Sequence, residues 1–66
     1  MDLDAAIAAL EMRVKAWKEG RTELPEALKL IEIHLEWARK SFEDGACGHA
    51  LGFFRDAESS AKDLGI

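Results

Sequence analysis

Apolar side chains recur along this chain in alternating steps of four and three residues, the spacing that lines them up on one side of an α-helix. Leu3, Ile7, Leu10, Val14 and Trp17 form the first such stripe. Asp2 and Asp4 stand at its start and Lys15 and Lys18 near its end, where each charge is favourable to the helix dipole, and Gly20 supplies a natural stop. A first helix is predicted over residues 2–19. Leu24, Leu28, Ile31, Leu35, Ala38 and Phe42 repeat the pattern. Pro25 fits only a first turn, where its missing N–H costs nothing, so the N-cap is expected at Thr22 or Leu24 and a second helix over 24–44, closed by Gly45. Cys47, Ala50, Phe54, Ala57, Ala61 and Leu64 make the third stripe, widened by Leu51 and Phe53 and ended by Gly65. The short connections favour antiparallel neighbours. The expected architecture is all-α, three antiparallel helices in a short up-down bundle with the second helix central, forming a single domain over residues 1–66.

The second helix is apolar well beyond its stripe. At 100° per residue Leu30, Ile33 and Trp37 fall beside the first line and widen the apolar arc to roughly 220°. In one reading helices 1 and 3 cover the whole arc. In the other, the part that carries Trp37 stays open to a second chain, since aromatic residues are favoured at interface centres. Lys29, Glu32, Glu36, Arg39, Lys40 and Glu43 complete the circumference as a solvent strip, on which Glu36 and Lys40 are spaced to pair, as Glu58 and Lys62 are in the third helix. Helix 1 carries an uncharged line opposite its stripe, Ala5, Ala9, Met12 and Ala16, with Ala8 beside it. Either alanine serves there simply as the best helix former, leaving Met12 an isolated exposed apolar residue, or the line is a self-association seam.

With 66 residues the chain has one small core. A domain of this size hides only about 60% of the surface of its unfolded form, and its core supplies no more than ~3–5 kcal/mol, so support from a second chain is expected. The net charge of −4 is spread as interleaved acids and bases without a basic block, which argues against direct nucleic-acid binding. No apolar run approaches the ~20 residues that span a bilayer, and the first residues lack the basic region of a signal peptide. A lone cysteine, Cys47, forms no internal disulfide. A cytoplasmic, non-membrane protein is expected.

His34 lies inside the apolar arc with Ser41 two turns away on the same face, a candidate polar site; a histidine so placed is most often packed with one nitrogen satisfied. Cys47 and His49 offer thiolate and imidazole, but structural zinc takes four ligands and the chain has one cysteine and two histidines. Cys47 is therefore read as a small buried hydrophobe. In Glu32-Ile33-His34 the acid and the histidine fall on different faces, unlike the Glu-x-x-His pairs of di-iron helical proteins. No metal, no cofactor and no catalytic residue is expected. Gly48 and Gly52 belong to no phosphate-binding loop, and are expected to allow close packing or to loosen the start of helix 3.

Residues 37–57 resemble a tetratricopeptide hairpin, with Ala38, Gly45, Ala50, Leu51, Phe53, Phe54 and Ala57 at the small, turn and aromatic places of that motif. Ser41 stands where an aromatic is usual, the closing proline is missing and no second copy follows, so the resemblance implies a helical hairpin and not a peptide-binding solenoid. Helix 1, the Gly20-Arg21-Thr22-Glu23-Leu24 turn and Pro25 to Leu30 are similar to the small helical subunit of exonuclease VII. That likeness implies an acidic accessory subunit, from which the Gly45 break and the third helix depart.

The function expected from these features is that of a small helical protein–protein interaction module, self-associating (a homodimer first) or serving as an accessory subunit, without catalysis. Met12, Leu30, Ile33 and Trp37 are its expected partner-binding residues. The alternative is an acidic inhibitor or decoy that turns Glu32, Glu36, Glu43 and Asp44 against a basic, nucleic-acid-binding site on another protein.

Overall fold

A computed structural model describes residues 2–66. It contains three helices, α1 (Leu3–Lys18), α2 (Glu26–Glu43) and α3 (Cys47–Asp63), arranged as a small all-α bundle. Among the described residues no helix is long and apolar enough to cross a membrane.

The helix ends follow from local chemistry. Asp2 caps α1, its carboxylate accepting from the Ala5 N–H at 3.2 Å. Beyond Lys18 the chain reverses in a type II turn. Glu19 sits at φ −61° and ψ 130°, Gly20 takes φ +78°, and the Arg21 N–H donates to the Lys18 carbonyl at 3.1 Å. The ends of α2 and α3 share another device. Gly45 and Gly65 adopt φ of +83° and +81°, and the amides of Ala46 and Ile66 reach back to the carbonyls of Ser41 and Ala61, each at 2.8 Å. These are Schellman closures, which satisfy carbonyls the helix itself leaves unpaired.

The start of α2 differs from expectation. Pro25, at φ −69° and ψ 153°, is itself the N-cap position; neither Thr22 nor Leu24 caps the helix, and Leu24 stands outside it, 44% exposed. The residue before a proline is held extended, so the apolar spacing that seems to begin at Leu24 begins in space at Leu28.

Ile7, Leu10, Val14, Leu28, Ile31, Leu35, Ala38, Phe54, Ala57 and Ala61 form the core. Side-chain size sets how the helices share it. Ala38, Ala50, Ala57 and Ala61 are fully buried, and such small groups let α2 and α3 lie close along their whole length. The buried face of α1 is made of larger side chains, Ile7, Leu10 and Val14, and α1 stands farther off, touching both partners.

Ion pairs tie α1 to α2 instead of running along single helices. Arg39 donates to Asp4 and to Glu11, each at 2.8 Å, and Lys18 reaches Glu32 at 3.0 Å. Arg39 therefore leaves the expected solvent strip and becomes a clamp. The hydrogen bonds it donates to Glu11 and then to Asp4 raise the pKa of Arg39 above the ordinary arginine value, so its guanidinium stays charged. The anticipated Glu36–Lys40 and Glu58–Lys62 pairs do not form: among the described residues every ion pair crosses from α1 to α2. Single-turn pairs between exposed side chains contribute too little to hold their geometry.

Candidate functional site

Three helices leave part of the α2 circumference uncovered. Leu28, Ile31, Leu35 and Ala38 face the core, and the rest of the apolar arc looks outward, with Leu30 55%, Ile33 39% and Trp37 48% exposed. The reading in which α1 and α3 cover the whole arc is thus overturned. Both neighbours lie toward the Ile31–Leu35 side, and a bundle of three rods encloses only a part of each.

Next to this strip is an aromatic cluster that joins α2 to α3. Trp37 meets Phe53 edge-on with ring centroids 5.4 Å apart, His34 meets Trp37 edge-on at 5.7 Å, and His34 stacks with Phe53 at 6.4 Å. Such contacts fix ring orientations beyond what burial alone does. Trp37 thus packs against His34 and Phe53 and is still about half exposed. Phe53 was placed by the sequence on the α3 stripe but not in the site. The available signal was symmetry: Trp37 and Phe53 lie equally far from Gly45, so an antiparallel hairpin sets them level.

The remaining candidates separate. His34 and Ser41 are both half-buried on the α2 face but make no hydrogen bond to one another, and a separation of two turns is about 10.5 Å of rise, so they form no joint polar site. The Nδ1 atom of His34 is buried without a hydrogen-bond partner. Met12 is 73% exposed on α1, with Ala5, Ala9 and Ala16 also exposed, on a different side of the bundle from Trp37. Cys47 is exposed and not a buried hydrophobe. As the first residue of α3 it stands at the rim of the bundle, lining a shallow cleft with Asp2, Leu3, Phe42 and Leu51.

Of the acidic residues, Glu32 is tied to Lys18, while Glu36 and Glu43 line an open groove between α1 and α2 together with Glu11, Arg39 and Lys40. A second cleft brings Arg13, Arg55 and Lys62 to one side of the molecule, where Arg13 donates to the Ile66 carbonyl at 2.6 Å. Among the described residues no group of three histidine, cysteine or carboxylate side chains is placed to hold a metal ion. In comparisons with known proteins, no family model, no curated protein and no solved structure matches the chain.

Proposed function

We propose that the protein is a helical interaction module that works by binding another protein surface, not by catalysis, and that the outer face of α2 is where it binds. One observation carries this reading. Leu30, Ile33 and Trp37 form a contiguous exposed apolar strip, braced from below by the His34–Trp37–Phe53 cluster. Apolar residues scattered singly over a surface call for no explanation, whereas a strip centred on a tryptophan has the composition of an interface core. A rigidly held indole also loses little side-chain freedom on binding, which favours affinity.

The test is affinity purification of the tagged chain with a mass readout, comparing the wild type with a Leu30→Ser/Trp37→Ser variant. Leu30→Ser should cost the fold no more than about 0.5 kcal/mol, whereas Trp37→Ser also gives up two ring contacts worth ~0.5–1.5 kcal/mol each, so circular dichroism must first show that the variant stays helical. The wild-type complex should survive high salt and vanish in the variant. A complex indifferent to the double substitution removes the site. One that dissolves steeply with salt points instead to the carboxylates of Glu36, Glu43 and Asp44 and to the acidic-inhibitor reading.

A further inference from the structure

Resting on that reading, we infer that the occupant of the α2 face is a second copy of this chain, with the two α2 helices antiparallel about a two-fold axis at Ile33. The argument comes from the charges that border the strip. Glu26, Lys29, Glu36 and Lys40 are all exposed on α2, and none has an ion-pair partner within the chain among the described residues, whereas Glu32 and Arg39, farther round toward α1, are both paired.

A two-fold axis perpendicular to a helix keeps each flank on the same side of the pair, so flank residues of one copy meet flank residues of the other. With the axis at residue 33, Ile33 lies against its own counterpart. Leu30 then comes level with the partner copy's Trp37, Glu26 with its Lys40 and Lys29 with its Glu36, all to within one residue, or about 1.5 Å of helix rise. Apolar groups meet along one flank and the opposite charges of Lys29 and Glu36 along the other, with Glu26 and Lys40 near the Ile33 line toward the two ends, an arrangement that selects orientation in paired helices. A parallel pairing would instead carry each flank to the opposite side, setting Lys29 and Glu36 against the partner copy's Leu30 and Trp37. The same axis carries the α3 helices to the outside, so that the two copies line up as α3–α2–α2–α3.

Sedimentation equilibrium on the full chain tests this, with circular dichroism confirming that each variant is helical. At high micromolar concentration the wild type should show twice the 7.3 kDa chain mass. Lys29→Glu and Glu36→Lys should each weaken the dimer on the order of tenfold, because symmetry changes two pairs at once. The Lys29→Glu/Glu36→Lys double variant, and an equimolar mixture of the two single variants, should recover it. In a Cys47→Ser background, Ile33→Cys should form a self-disulfide on mild oxidation, since residue 33 meets itself only at the axis.

A wild type that stays monomeric overturns the self-pairing and leaves the docking face to a different partner. A dimer that persists in Ile33→Glu overturns both the pairing and the face. A dimer broken by Ile33→Glu but blind to the charge reversals, or giving no Ile33→Cys disulfide, overturns the antiparallel register.

Discussion

A methyl group added at Gly48 or Gly52 would meet nothing within 4 Å, in a backbone that is already helical, whereas Gly45 holds φ +83°, where any other side chain is strained. The close packing expected at Gly48 and Gly52 is therefore absent, and what remains is the looseness that glycine brings to a helix. Gly48→Ala and Gly52→Ala should each raise stability by about 1 kcal/mol, and Gly45→Ala should lower it, as read by thermal unfolding. Leu35, 3% exposed at the centre of the core, should cost ~2–5 kcal/mol as Leu35→Ala, enough to unfold much of an unassisted chain. Cys47 should react with a thiol reagent in the folded protein, without denaturant; protection until unfolding would restore the buried placement that its spacing implies. Turn glycines such as Gly45 were legible because a cap combines a residue type with a position. Gly48, Gly52 and Cys47 were not, because helical spacing names a face without saying how far a neighbouring helix extends over it.

At the level of elements, the three helices and their stops could be read from apolar spacing together with Gly20, Gly45 and Gly65, apart from the start of α2 that Pro25 shifts. How they are joined could not. Arg39 lies on the same helical strip as Lys40 and Glu43, and only the approach of α1 turns it into the group that binds Asp4 and Glu11. Because α1 packs less closely than the α2–α3 hairpin, this clamp bears mainly on α1. Arg39→Met should cost no more than about 1 kcal/mol overall, since the side chain is only partly covered. Hydrogen exchange should nevertheless quicken at Ile7 and Leu10 while Phe54 and Ala57 change little. Equal acceleration in all three helices would show that α1 has no separate looseness to relieve.

For the whole molecule, the apolar arc of α2 is wider than two neighbouring helices can cover, and this excess could be read from Leu30, Ile33 and Trp37 in the sequence. What covers it could not, because coverage depends on where α1 and α3 sit. A chain of this size draws only ~3–5 kcal/mol from its own core, so covering the strip bears on stability as well as on binding. If the strip pairs with a second copy, the unfolding midpoint should rise with protein concentration; a midpoint independent of concentration would contradict self-pairing. The claim that the α2 face binds protein at all is tested most directly by photo-crosslinking in the native cell, with a photoreactive residue placed at position 33 or, as a control on the far side of α3, at position 55. Covalent protein adducts should form from position 33 and not from position 55. Equal yields from the two, or none from position 33, would contradict it.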